Sequence, residues 1–212
     1  MVIRGDPVGE YCTRPSRQQA NPSPVPREMS AALAKPRAFP QRISPSIAAF
    51  ISLGTGLGFA CCLDGRVQYS PTGSPRITIY KTPFRDGILE DYASKRAFLR
   101  IYGEITGRGT EPSLTVADLG RMAGEGDPAA RETFATVGRT LGEALRARIL
   151  EERIECLLLG GQISRSYIHL EPGLRKGLHG AECLRRIAPA AHIGHAAFYG
   201  LLARIDDLQT EA

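Results

Sequence analysis

Two short glycine clusters are the residues of this chain best suited to chemistry. Gly54-Thr55-Gly56-Leu57-Gly58 lies between two apolar runs, where a turn free of Cβ atoms lets backbone N–H groups and the Thr55 hydroxyl approach a phosphate closely. It is neither a dinucleotide fingerprint, which opens a helix, nor a P-loop, which needs Gly-Lys-Ser/Thr. From the pentapeptide alone, a glycine-rich hairpin turn without ligand is the plainer reading. Gly160-Gly161 follows the run Cys156 to Leu159 and precedes Ser164. A strand, a tight turn and a helix start in that order form the place where open α/β sheets admit ligands, although a plain strand-to-helix turn has the same spelling. Glu90 reads as an acid in the first turn of a helix, stabilised by the helix dipole. His192 and His195 share a helix face by spacing but have no partner ligands in sequence, so no metal site is expected from them.

The elements that must position these residues begin near Ile47. Ala48 to Leu53 and Phe59 to Leu63 are short apolar runs of strand length, and Asp64-Gly65 predicts a hairpin turn into Arg66 to Tyr69. Arg76 to Tyr80 is a further strand candidate. Ile88, Tyr92, Leu99, Tyr102 and Ile105 then fall on one face of a helix over about 88 to 105. Thr115 with Asp118 three residues on marks a helix start. Asp127-Pro128 is a stronger one, with an Asp cap and Pro at the first helical position. The stripe Phe134, Val137, Leu141, Leu145, Ile149 carries that helix to about Glu152. Ile154 to Leu159 predicts a buried strand, Arg165 to Leu178 a helix despite Pro172, and Ile193 to Asp207 a last helix. Strands, helices, strand and helices imply an α/β layer architecture with helices packed on a mixed sheet.

Residues 1 to 45 hold eight of the fifteen prolines and no sustained period, so we expect a disordered or loosely packed segment there and one domain over 46 to 212. Seven Arg/Lys against three acids put +4 of the +5 formal charge in that segment. The near-neutral remainder excludes a broad basic surface for nucleic acid. The five cysteines are odd in number and show no C-x-x-C spacing, as expected of reduced core residues. No apolar stretch approaches the roughly 18 residues that span a bilayer, and the N-terminus lacks a compact apolar leader. A cytoplasmic protein is the expectation.

Taken together and in order, the motifs resemble those of the ROK (repressor, ORF, kinase) sugar kinases, in the actin/hexokinase/Hsp70-like ATPase superfamily. Ile51 to Gly58 (ISLGTGLG) is similar to the second phosphate motif, and Cys62 to Val67 (CLDGRV) to the hairpin after it. Gly87 to Ala97 (GILEDYASKRA) resembles the G-x-x-E-x-Y-x-S helix, and Gly126 to Gly142 the long G-D-x-x-A helix. Leu157 to Ser164 (LLLGGQIS) resembles the adenosine motif L-G-G-x-x-S, and the segment with Gly194, Ala196, Ala197 and Gly200 the closing helix. The resemblance implies a ribonuclease H-like (actin-like ATPase) C-terminal domain and ATP with Mg2+ as cofactors. It places Gly54, Thr55, Gly56 and Gly58 at the β/γ-phosphates, Gly160 and Gly161 against adenosine, and Glu90 on a sugar hydroxyl. A hexose or N-acetylhexosamine is the implied substrate.

Three family features are not found in this sequence. The catalytic base of the family lies in an Asp-Asn-Asp-Ala-Asn-like segment, whereas the only asparagine here is Asn21, in Ala20-Asn21-Pro22-Ser23, and no Asp-x-Gly-Gly-Thr occurs. The family's zinc stretch Cys-x-Cys-Gly-x-x-Gly-Cys is replaced by Tyr80 to Gly87, without Cys or His, so zinc is not expected. The expectation is therefore a hexose kinase by family, truncated and lacking its catalytic base, that self-associates or pairs with a missing N-terminal lobe. The alternative is a non-catalytic sugar- or nucleotide-binding module, or a relative of the sugar-responsive repressors. Their helix-turn-helix does not fit a segment so rich in proline.

Overall fold

The computed structural model describes residues 47–64, 66–109 and 111–191. The expectations for 1 to 45, for Gly65, for the helix over 193 to 207 and for His192 and His195 lie outside these residues.

Strand β1 is Ile47–Leu53, β2 Leu57–Leu63 and β3 Arg66–Val67. Strands β4, Pro83–Phe84, and β5, Gly87–Ile88, form a separate hairpin. Strand β6 is Cys156–Gly160 and β7 Arg186–Pro189. A five-stranded sheet in the order β3-β2-β1-β6-β7 organises the described residues. The pair β1–β2 is antiparallel while β1–β6 and β6–β7 are parallel, so the sheet is mixed. The apolar run expected as a strand is β1, and its faces alternate: Ala49, Ile51 and Leu53 are buried while Phe50 and Ser52 are only partly covered. Strand β6 is interior, between β1 and β7, and its near-continuous apolar text is what a strand covered on both faces requires.

The helices follow from their caps. Helix α1 is Leu89–Ala93, α2 Lys95–Thr106, α3 Val116–Glu125 and α4 Pro128–Glu151. A 3-10 turn, Gln162–Ser166, leads into α5, Tyr167–Gly177. Thr115 caps α3 in a capping box with Asp118, and the Asp127 carboxylate accepts from the Ala130 amide at 2.6 Å ahead of Pro128. The whole Phe134-to-Ile149 stripe is buried. The Phe98 and Phe134 rings meet at 5.0 Å between α2 and α4.

Helices α4 and α5 touch backbone to backbone. Gly138 and Gly142 face Gly173 and Gly177, and a methyl group on any of the four would strike main-chain atoms of the other helix. The start of α5 is tied to β7 by the Tyr167 hydroxyl, which donates to the Ile187 carbonyl at 3.1 Å. Burial, with the Glu171 carboxylate adding to it, pushes that phenol up to about 12.

Several expected boundaries move. The single helix over 88 to 105 is two helices, broken at Ser94 (φ −111°, ψ 177°), because the Lys95 amide donates to the Gly54 carbonyl at 2.9 Å instead of continuing a helical ladder. The Ser94 hydroxyl is fully buried and makes no hydrogen bond among the described residues. Arg76 to Tyr80 is not a strand; Ile77 and Ile79 are buried as the alternation implies, but no neighbouring strand takes up the segment. Strand β2 starts at Leu57, so Gly58 lies in the ladder opposite Ser52 rather than in the turn.

No disulfide joins cysteines among the described residues. The Cys61 and Cys156 thiols are buried and held above their usual range, chiefly by desolvation, which keeps them protonated and unreactive.

Candidate functional site

Because β1 and β6 are adjacent and parallel, their C-terminal ends leave the sheet on the same edge, and each carries one glycine turn. The register pairs Ser52 with Gly160, so the turns Gly54–Gly56 and Gly161 start side by side. The β1–β2 turn closes with the Gly54 amide donating to the Gly56 carbonyl at 3.1 Å. Gly161 has φ 82° and ψ 168°, a combination open essentially to glycine alone. A Cβ there would run into the Leu53 carbonyl oxygen and stand 2.8 Å from the Leu53 carbonyl carbon. At Gly160 a Cβ would overlap the Phe50 ring. Contact with the β1 main chain therefore demands glycine at Gly161, while at Gly160 the obstacle is a side chain.

A cleft of about 460 Å3 opens at this edge. Gly54 and Thr55 come from the β1–β2 turn, Lys95 from the start of α2, Thr115, Val116 and Ala117 from the start of α3, and Gln162, Ile163, Arg165 and Ser166 from the turn after Gly161. The lining has two cations, Lys95 and Arg165, and no carboxylate. Neither cation makes an ion pair among the described residues. Asp118, behind the rim, is already engaged: it accepts from the Thr115 hydroxyl at 2.6 Å and the Thr115 amide at 3.0 Å, and these bonds hold its carboxyl below the usual carboxylate range. An uncompensated positive lining beside a turn open to backbone approach suits a polyphosphate. It offers a divalent cation no protein carboxylate.

The sequence-derived site residues divide in this geometry. Gly54 and Thr55 line the cleft, whereas Gly56, Gly58, Gly160 and Gly161 do not line it. Glu90 is also absent from the lining; its Oε2 accepts from the Leu57 amide at 2.9 Å, and its Oε1 lies 4.0 Å from the exposed Arg96 guanidinium. Lys95 and Arg165 escaped the sequence reading because nothing in linear spacing links residues 95, 115 and 165. A search for cations immediately flanking the glycine and serine motifs would have found both.

Where the family's zinc stretch would stand, Pro83–Phe84 (β4) and Gly87–Ile88 (β5) form a minimal hairpin. The Phe84 and Tyr92 rings meet edge to face at 5.4 Å. The Arg85 guanidinium lies 5.2 Å from each ring, and the Tyr92 hydroxyl donates to Asp86. Among the described residues no group of three or more His, Cys, Asp or Glu comes together as a metal site.

No family model matches the sequence, and no curated protein matches it; the similarity is found in structure. A putative sugar kinase from Cytophaga hutchinsonii superposes at a TM-score of 0.66 and 22% identity, over 76% of this chain and 57% of that one. The chain has the fold of the ROK sugar kinases. A ROK glucokinase from Streptomyces griseus, solved with glucose and AMPPNP, matches at TM-score 0.61 and 20% identity, over 72% of this chain and 58% of its own. A ROK transcriptional regulator, a homologue of the E. coli MLC protein, matches at 0.59 and 23%, over 68% and 41%. This chain thus spans about half the length of these solved structures. No helix among the described residues is long and apolar enough to cross a membrane.

Proposed function

We propose that this chain is the nucleotide-binding part of a ROK-type sugar kinase and that ATP lies in the cleft between the two glycine turns. The observation that carries the reading is the pair of unpaired cations, Lys95 and Arg165, in a cleft without carboxylates at the ends of two adjacent parallel strands. In this reading Gly54 and Thr55 present the β1–β2 turn to the β/γ-phosphates, and Lys95 supplies positive charge beside them. Gln162, Ile163 and Arg165 flank the nucleoside side, with Gly160 and Gly161 letting the chain turn tightly beneath it. Bound ATP brings Mg2+ as counter-ion for its phosphates and supplies the phosphoryl group. Transfer to a hexose or N-acetylhexosamine also needs a carboxylate to take the hydroxyl proton. The family's base segment is not found in this sequence, so the chain as given binds nucleotide without turning over sugar.

The ROK regulator shares the fold, so the kinase reading rests on the cleft and not on the fold. Isothermal titration of the full chain with ATP tests it. Lys95→Ala and Arg165→Ala are each expected to weaken ATP about tenfold, the size of one charge-assisted contact, with little change in thermal midpoint. Added salt is expected to weaken wild-type binding more than that of either variant. ATP affinity unchanged in both variants, or rapid hexose-dependent ADP release by the pure chain, refutes the reading.

A further inference from the structure

We infer that Glu90 is a positioning residue that clasps the glycine turn from behind, and does so whether or not a sugar is present. Its Oε2 accepts the Leu57 amide at 2.9 Å. Leu57 is the first residue of β2 and pairs with Leu53, so the three residues between them are the turn. At the other end of that turn the Gly54 carbonyl accepts from the Lys95 amide at 2.9 Å. Glu90 and Lys95 flank the break between α1 and α2 at Ser94. One helix corner thus grips both ends of the turn: a carboxylate holds the exit and a helix-opening amide holds the entry. The break at Ser94 is what frees the Lys95 amide for this bond.

Gly56 completes the clasp. A Cβ on Gly56 would stand 2.9 Å from Glu90 Oε2, so a larger residue would push the carboxylate off the Leu57 amide. The Glu90 carboxyl is only partly buried, and its second oxygen has no partner closer than the 4.0 Å contact with Arg96. A carboxylate committed through one oxygen and open at the other can fix the turn and still receive a donor. The consequence for nucleotide affinity rests on the proposed function; the clasp itself does not.

The test is residue-resolved amide exchange by NMR on the full chain, with ATP titration alongside. Glu90→Ala is expected to speed Leu57 exchange about tenfold, since the acceptor of its hydrogen bond is lost. Glu90→Gln keeps an acceptor oxygen in place and is expected to stay near wild type. Gly56→Ala is expected to reproduce Glu90→Ala by displacement, and the double variant Gly56→Ala/Glu90→Ala to exchange no faster than either single one. Slow exchange of the β6 amides in every variant marks an intact fold, and if Glu90→Ala fails to fold, Gly56→Ala against Glu90→Gln decides. Unchanged Leu57 exchange in both Glu90→Ala and Gly56→Ala overturns the clasp. ATP affinity is expected to drop at least threefold in Glu90→Ala relative to Glu90→Gln, and equal affinities overturn its bearing on the ligand. If the wild-type chain binds no ATP, the proposed function fails while the exchange data still decide the clasp.

Discussion

Gly161→Ala separates a glycine kept for folding from one kept for a ligand. At φ 82° and ψ 168° an alanine occupies a region essentially reserved for glycine, at a cost of about 1–3 kcal/mol. Its methyl would also collide with the Leu53 main chain. That backbone is held in the middle of the sheet between β2 and β6 and cannot swing aside, so overpacking adds about 1–3 kcal/mol. The sum, about 4 kcal/mol, is a large part of the roughly 5–15 kcal/mol that keeps a domain folded. In urea denaturation with a slope of about 2 kcal/mol/M, the midpoint should fall by about 2 M. Gly160→Ala serves as the internal comparison, because its methyl meets only the partly exposed Phe50 ring. We expect a smaller loss, about 1–2 kcal/mol, largely recovered in Gly160→Ala/Phe50→Leu. A Gly161→Ala protein within about 1 kcal/mol of wild type but unable to bind ATP would refute the packing argument and assign that glycine to the nucleotide.

Two further perturbations read other parts of the structure. The His169 imidazole is held below its usual 6.5 by desolvation first and by the Arg131 charge second. The folded state therefore favours the neutral ring: its contribution is fully present above the unfolded value and is lost as pH falls through the lower folded one. Chemical denaturation from pH 7 to pH 5 should show stability falling, with a shallower fall in His169→Gln; equal slopes would exclude His169 as the source. The buried and unpartnered Ser94 hydroxyl makes Ser94→Ala neutral or stabilising by up to about 1 kcal/mol, whereas a clear drop in thermal midpoint would show that the hydroxyl has a partner.

Much of this fold is legible in the sequence where local rules decide it. Asp127-Pro128 and the stripe from Phe134 to Ile149 name a helix, its start and its buried face without outside help. Thr115 with Asp118 marks the start of α3, and the apolar run Ala48 to Leu53 spells all but the first residue of β1. Elsewhere a distant partner decides. The kink at Ser94 exists because a carbonyl in the β1–β2 turn captures the Lys95 amide, and no helical periodicity encodes that. Strand β7 is Arg-Ile-Ala-Pro, too short for alternation to register, and it forms because β6 offers a free edge. Ile77 and Ile79 alternate like a strand and are buried like one, yet no ladder takes them up. At the site, the glycine turns are legible as turns, but their closeness follows only from the parallel β1–β6 pairing. The seating of Glu90 on the Leu57 amide follows from the α1–α2 corner, which only the folded chain reveals.

The glycine-lined contact between α4 and α5 also limits how this lobe can move. Ordinary helix pairs shear by small slides that their interlocked side chains absorb, and here the facing positions have no side chains to adjust. Four main-chain surfaces already in touch make the pair a single stiff girder. Any rearrangement on filling the cleft must then be taken up by the short segments leaving β1 and β6, so crosslinking α4 to α5 should leave ligand affinity untouched.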